Sequence, residues 1–193
     1  MSPYSDFKQD IENALKVLKE GGLILYPTDT IWGIGCDATN EEAVAKVYDL
    51  KKRSDTKSML VLLDSENRLN YYLKEVPEIA WDLIEVSDKP LTIIYPGARN
   101  LAGNLVAIDS SIGIRITREE FSQALIRKFG KAIVSTSANV SGKKSPSTFS
   151  DVDPEILEGV DYVVRYRQDD LQKRQPSGII RIGLKGEVEV LRN

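Results

Sequence analysis

Residues 21–57, GGLILYPTDTIWGIGCDATNEEAVAKVYDLKKRSDTK, decide the fold class of this chain. The apolar residues 23–26 predict a buried strand that stops at Pro27, because proline cannot donate to a sheet ladder. A second strand is expected over residues 31–36, and a helix capped by Thr39 is expected to run to residue 50. Two strands followed directly by a helix are typical of an α/β protein.

The same stretch carries groups that suit a ligand site. Residues 28–30 form a polar turn after the first strand, and Gly33 and Gly35 would allow a ligand to approach the backbone closely. A basic cluster at residues 51–53 ends the helix. Hydroxyls, glycines and cations in one short stretch together indicate a site for an anionic small molecule.

Two of these motifs also have a plainer interpretation. Residues 33–38 match the dinucleotide pattern GxGxxA, but its glycines must open a helix, and here the helix begins only after Thr39. We therefore favour two glycines in a tight strand. The basic cluster, with Lys57 nearby, is compatible with a triphosphate clamp and equally with a solvated helix end, where cations complement the helix dipole.

Composition limits the chemistry. The 193 residues are 41% apolar and 28% charged, so we expect a single domain over residues 1–193. A formal net charge of −3 argues against nonspecific coating of nucleic acid. The chain has no histidine and one cysteine, Cys36, which excludes histidine-based triads, histidine zinc sites and intrachain disulfides. Carboxylates, hydroxyls, Lys, Arg, backbone amides or an oxygen-ligated metal must carry any reaction.

The N-terminal residues MSPYSDFKQD lack the basic and apolar regions of a secretion signal, and no apolar run approaches membrane-spanning length. We therefore expect a cytoplasmic protein without membrane contact.

Beyond residue 57, helices and strands first alternate and then strands crowd together, which favours a mixed sheet. Continuous apolar runs at 59–63 and 91–95 predict central strands. Residues 112–116 alternate isoleucine with Gly113 and Arg115, which is typical of a half-buried strand.

Polar residues on or after these strands are candidate site residues. Arg115 should lie opposite the isoleucines, where its guanidinium needs an internal carboxylate or a substrate carboxylate. Ser135, Ser137 and Asn139 follow a predicted strand and could project together toward a ligand, although each alone is also ordinary turn chemistry.

Two loops, residues 141–150 and 167–177, combine Gly, Pro, Lys and Ser and are candidate lids, although most such loops are only connections. We predict that residues 141–150 close over a bound nucleotide, with Ser145 as a contact.

In order and spacing, these pieces resemble the YrdC-like family of threonylcarbamoyl-AMP synthases, in its short, single-domain form. The matching motifs span nearly the whole chain: PTDTIWGIGCDA at 27–38, KxR at 51–53, PLT at 90–92, SIGIR at 111–115, STSANVSG at 135–142, PSGII at 176–180 and LR at 191–192.

The resemblance implies a twisted open mixed sheet with flanking helices and a central concave cavity. It implies synthesis of threonylcarbamoyl-AMP from L-threonine, bicarbonate and ATP, with Mg²⁺ accompanying ATP and pyrophosphate released. Other proteins would then transfer the threonylcarbamoyl group to tRNA, and a direct tRNA or RNA contact is possible.

The resemblance also implies roles for individual residues. The expected contacts of L-threonine are Thr30, Trp32, Arg115, Ser135 and Ser177. The expected contacts of ATP are Lys51, Arg53, Lys57, Ser111, Ser137, Asn139, Ser145 and Arg192. Lys51 and Arg53 would be catalytic, and no metal ligand from the protein is expected.

The chain departs from the family pattern at Trp32, where tyrosine is usual, and at Leu62, where many members have histidine. Two other functions stay open. One is an RNA-binding module of the same fold without adenylation activity. The other is a carbamoyl-transfer domain like that of hydrogenase maturation proteins, which occurs within much longer chains.

Overall fold

The computed structural model describes residues 7–52 and 59–193. Within these ranges the α-helices are α1 (Lys8–Lys19), α2 (Glu41–Leu50), α3 (Leu69–Tyr72), α4 (Ile79–Val86), α5 (Glu120–Phe129) and α6 (Pro154–Gly159). The strands are β1 (Ile24–Tyr26), β2 (Gly33–Gly35), β3 (Leu60–Leu63), β4 (Leu91–Tyr95), β5 (Ile112–Ile116), β6 (Ile133–Ser137), β7 (Tyr162–Val163), β8 (Gly178–Ile182) and β9 (Val188–Arg192). Short 3₁₀-helices cover Glu66–Arg68 and Phe149–Asp151.

The described strands form one mixed sheet in the order β7-β1-β2-β6-β3-β5-β4-β8-β9. The pairs β1–β7, β3–β5 and β4–β8 are parallel, and the other neighbouring pairs are antiparallel. The expected twisted open mixed sheet with flanking helices is thus confirmed. The crossed connectivity brings together motifs that lie far apart in the sequence.

Each face of the sheet carries its own apolar core. Leu25 and Ile114 belong to the core that includes residues of α2, α3, α4 and α6, whereas Ile24 and Tyr26 belong to the core beneath α1 and α5. Because side chains alternate along a strand, Arg115 points to the same face as α1 and α5. These two helices cover only part of that face, and the candidate site occupies the rest.

Local hydrogen bonds shift two of the predicted boundaries. The second strand is confined to Gly33–Gly35, because the Thr28 hydroxyl donates to the Ile31 carbonyl oxygen and holds that part of the chain in a turn. The expected Thr39 cap of α2 is wrong by one residue. The Asn40 side chain accepts from the first-turn amides, while the Thr39 hydroxyl donates to Asp37 at 2.6 Å.

Strand β5 is buried on both faces, so the expectation of a half-buried strand is wrong. Ile112 and Ile114 face one core, and Gly113 and Arg115 on the other face are also buried. Strand β6 is longer than expected and includes the hydroxyl-bearing residues that were predicted to follow it.

Within the described ranges, every helix is too short or too polar to cross a membrane.

Candidate active site

A cavity of about 200 Å³ lies on the uncovered part of the sheet, where β2, β3, β5, β6, β8 and β9 contribute lining residues. All five residues predicted to contact L-threonine line it: Thr30, Trp32, Arg115, Ser135 and Ser177. Three residues of the predicted ATP set join them there: Ser137, Ser145 and Arg192. The fold therefore gathers residues from five separate motifs around one small cavity.

The turn after β1 is held by its own side chains. The Thr28 hydroxyl donates to the Ile31 carbonyl oxygen at 2.8 Å and accepts from the Thr30 amide at 3.1 Å. The Thr28 and Thr30 hydroxyl oxygens are 3.0 Å apart. Such hydroxyl-to-backbone bonds fix a turn without a helix or strand, so Thr30 is held at the cavity wall.

The Arg115 guanidinium is buried, with 3% of the residue exposed, and forms an ion pair with Asp29. Its Nε lies 3.1 Å from Asp29 Oδ1. Asp29 supplies the internal carboxylate that the sequence left as one of two possible partners. Since Arg115 also lines the cavity, its guanidinium can serve both the internal carboxylate and a ligand anion.

A second guanidinium reaches the same cavity from the far edge of the sheet. Arg192, the last residue of β9, lines the cavity, and its Nε donates to the Ser177 carbonyl oxygen at 2.8 Å. Burial and the nearby positive charge of Arg115 both lower the pKa of Arg192. Two arginines close enough to influence each other make the cavity favourable for an anion.

A larger groove of about 630 Å³ adjoins the cavity and shares Met59, Leu60 and Ile179 with it. Ser111, predicted to contact ATP, lines this groove rather than the small cavity. The groove also has the apolar side chains Ile94, Ile108 and Ile112. Its volume falls within the usual range for cofactor sites, about 300–1,000 Å³, whereas that of the small cavity falls below it.

Lys51 is buried, so this residue of the basic cluster is not part of a solvated helix end. Its ammonium group donates to the carbonyl oxygens of Ser137 and Asn139, and Lys51 is not among the residues that line the small cavity. In this structure the lysine anchors the end of β6. The neighbouring Lys52 is exposed and pairs with Glu155 at 2.5 Å.

Asn139 also has a local role in this structure. Its amide nitrogen donates to the carbonyl oxygens of Val140 and Lys143, and its Oδ1 accepts from the Ser145 hydroxyl at 3.4 Å. These bonds fix the start of segment 141–150. Within this segment, Ser145 lines the cavity.

The predicted ATP contacts Arg53 and Lys57 lie outside the described residues.

The two departures from the family pattern have different environments. Trp32 lines the cavity and packs against Phe149, with ring centroids 4.9 Å apart. Leu62 is fully buried in the core beneath α1 and α5 and neighbours Arg115 in the β3–β5 register. Leu62 therefore supplies apolar packing beside the arginine.

Three residues that contact residues of this site were not predicted from the sequence as site residues: Asp29, Thr92 and Phe149. Asp29 and Thr92 do stand inside the PTDT and PLT motifs, which was an available signal. No local pattern marks Phe149, because its contact with Trp32 depends on the course of the intervening chain.

Comparisons with known proteins show the family of this chain. The Sua5_yciO_yrdC family model, described as "Telomere recombination", matches residues 16–193. A curated relative from Halorhodospira halophila, named threonylcarbamoyl-AMP synthase, is 29% identical over 177 residues, which are 91% of this chain and 91% of the relative. A protein of the same name from Pseudoalteromonas translucida is 30% identical over 157 residues, 80% of this chain and 84% of the relative.

Among solved structures, P. abyssi Sua5 complexed with L-threonine has a TM-score of 0.81 at 24% identity. The match covers 91% of this chain and 51% of that one, so the present chain spans about half of that protein's length. At this identity, the similarity shows that the two proteins share a fold.

Proposed function

Since the chain belongs to the Sua5/YciO/YrdC family, we propose that it makes threonylcarbamoyl-AMP from L-threonine, bicarbonate and ATP, as a nucleotidyltransferase. The observation that carries the proposal is the convergence of Thr30, Trp32, Arg115, Ser135 and Ser177 on one cavity of amino-acid size.

L-threonine would occupy the small cavity, with its carboxylate on the Arg115 guanidinium. The Asp29 contact uses the Nε edge of Arg115, and the remaining N–H donors of a guanidinium suit a planar carboxylate. The hydroxyls of Thr30, Ser135 and Ser177 supply hydrogen-bonding groups for the polar atoms of the amino acid.

ATP would lie in the adjoining groove, with its base and ribose against the apolar wall near Ser111 and its phosphates toward the small cavity. Ser137, Ser145 and Arg192 line the cavity and would meet the phosphates there. Arg53, in the KxR motif, and Lys57 complete the proposed ATP contacts on the strength of the family resemblance. Lys51 would act by holding the Ser137–Asn139 backbone in place.

The reaction suits a site without histidine. The threonine amine and bicarbonate form a carbamate with loss of water, a carbamate oxygen attacks the α-phosphorus of ATP, and pyrophosphate leaves. This displacement depends on alignment and on neutralising negative charge, which guanidinium groups and backbone donors can provide.

Mg²⁺ would enter as part of the MgATP substrate. Among the described residues, no group of three or more carboxylate or thiol side chains could hold a metal ion, and the cavity is lined by cations and hydroxyls. Phosphate oxygens of ATP are the natural ligands of such an ion.

The product is a reactive mixed anhydride that water can hydrolyse, so another protein must use it soon after it is released. We propose that the acceptor proteins transfer the threonylcarbamoyl group to tRNA in the cytoplasm. Filter binding of tRNA, with and without ATP, tests the alternative of an RNA-binding module, which requires tight tRNA binding without ATP turnover.

The decisive assay measures pyrophosphate release from ATP while L-threonine and bicarbonate are omitted in turn. We expect release only when both are present, and loss of this threonine-dependent release in the Arg115→Ala variant. ATP turnover that does not depend on L-threonine would contradict the proposal.

A further inference from the structure

A buried pair of hydroxyls connects the small cavity to the larger groove. Thr92 Oγ1 on β4 and Ser177 Oγ lie 2.8 Å apart, and both residues are nearly inaccessible to solvent. Ser177 lines the small cavity, whereas Thr92 lines the groove. Two buried hydroxyls at this distance form a hydrogen bond.

The backbone of Ser177 is fixed by other contacts. Its carbonyl oxygen accepts from Arg192 Nε at 2.8 Å, and the next residue, Gly178, donates its amide to the Pro90 carbonyl oxygen at 3.1 Å. The parallel pairing of β4 and β8 begins at this point. The main chain therefore does not need the Thr92 hydroxyl to hold its position.

The Thr92 side chain has little freedom to turn. Its methyl group lies over Gly113, where a Cβ on the glycine would come within 3.3 Å of it. A β-branched side chain in a strand has few rotamers, and this contact leaves the hydroxyl directed at Ser177. Gly113 thus provides the space for the methyl group.

We propose that Thr92 is a positioning residue that orients the Ser177 hydroxyl for the amino acid. The inference rests on the proposed function, in which Ser177 contacts L-threonine. A hydroxyl has one donor and two acceptor positions. When Thr92 occupies one of them, the remaining positions have a fixed direction into the cavity. Without Thr92 the Ser177 hydroxyl can rotate, and amino-acid binding weakens.

The test compares Thr92→Val, which removes the hydroxyl and keeps the branched shape, with Thr92→Ser, which keeps the hydroxyl and removes the methyl group. Initial rates of pyrophosphate release give KM values for L-threonine and for ATP. We expect Thr92→Val to raise the KM for L-threonine about fivefold, the effect of one hydrogen bond, and to raise it more than the KM for ATP, because the lost hydrogen bond is to Ser177. Thr92→Ser should raise the KM for L-threonine less than Thr92→Val does, because it keeps the hydroxyl and loses only the methyl contact with Gly113.

Two results would overturn the inference: a wild-type KM for L-threonine in Thr92→Val, or an equal rise in Thr92→Val and Thr92→Ser. The second would mean that methyl packing matters and the hydroxyl does not. If Thr92→Val does not fold, the comparison of Thr92→Ser with Thr92→Ala decides in the same way, because only the serine keeps the hydroxyl.

A double-mutant cycle checks that Thr92 acts through Ser177. In a Ser177→Ala background, Thr92→Val should add no further rise in KM, and an additive effect would contradict the mechanism. Failure of the proposed function gives a different result, since the wild type itself would then show no threonine-dependent release of pyrophosphate.

Discussion

Replacing Arg115 by Met should have two separable effects, because this arginine is both an ion-pair partner and the proposed ligand of the substrate carboxylate. The change leaves Asp29, whose side chain is 11% exposed, without the cation that lies 3.1 Å away. A double variant, Arg115→Met with Asp29→Asn, removes both charges and leaves no buried carboxylate unpaired. Comparing the two variants separates folding from recognition.

The expected magnitudes differ for the two effects. Removing one member of a buried ion pair costs about 3–5 kcal/mol, and in a chain of this size 1 kcal/mol corresponds to about 2–4 °C. The melting temperature of the single variant should therefore fall by about 6–20 °C. The double variant should recover much of this loss. Affinity for L-threonine should fall by about thirtyfold or more in both, since a buried charged contact contributes at least about 2 kcal/mol.

Thermal unfolding and isothermal titration with L-threonine, on the same preparations, measure the two effects. Arg127→Met is a suitable control, because that side chain is 64% exposed and its nearest carboxylate contact, Asp64, is 3.7 Å away. A double variant that binds L-threonine as tightly as the wild type would refute carboxylate recognition by Arg115. A stable single variant would refute the structural role of the pair.

Three further perturbations test other parts of the site. Lys51→Met should lower the free energy of unfolding by about 1.5–3 kcal/mol for each lost charged hydrogen bond. The control Lys52→Met, at the surface, should lower it by at most about 1 kcal/mol. Equal effects of the two variants in urea unfolding would contradict the anchoring role of Lys51. Burial raises the pKa of the Glu119 carboxyl. Its contribution to stability is therefore present below the ordinary Glu pKa of about 4.3 and is lost as pH rises through the raised pKa. Glu119→Gln should flatten the plot of unfolding free energy against pH in that range, and an unchanged plot would contradict this role of Glu119. Hydrogen exchange of residues 141–150 should slow when ATP and L-threonine are added together, and equal exchange would leave this segment an ordinary surface loop.

Periodicity in the sequence was sufficient to predict most elements of the fold. The strand Leu91–Tyr95 has the expected bounds, and the crowding of strands late in the chain correctly predicted a mixed sheet. Caps were harder to predict, because Thr39 and Asn40 are adjacent residues of similar capping preference and only the structure shows that Asp37 engages Thr39. Helix ends are thus decided by side-chain competition that a pattern does not contain.

The candidate site was predictable as a set of motifs and less so as a set of contacts. The residues assigned to L-threonine do line one cavity, because the crossed order of the strands in the sheet brings their separate motifs together. The Asp29–Arg115 ion pair and the Thr92–Ser177 hydrogen bond depend on long-range pairing, which no local pattern specifies. The environment of Lys51 was equally hard to predict, since the sequence of a basic cluster does not reveal which of its cations is buried.

The packing of Trp32 against Phe149 gives the protein an intrinsic optical reporter. The chain has two tryptophans, and the other, Trp81, lies on α4, where it packs partly buried against the core that includes residues of α2, α3, α4 and α6. A Trp81→Phe variant would leave indole emission from the cavity wall alone. Because Trp32 lines the cavity and also contacts Phe149 within segment 141–150, a ligand and a movement of that segment would each change the emission. Stopped-flow fluorescence could then separate amino-acid binding from any later closure in time.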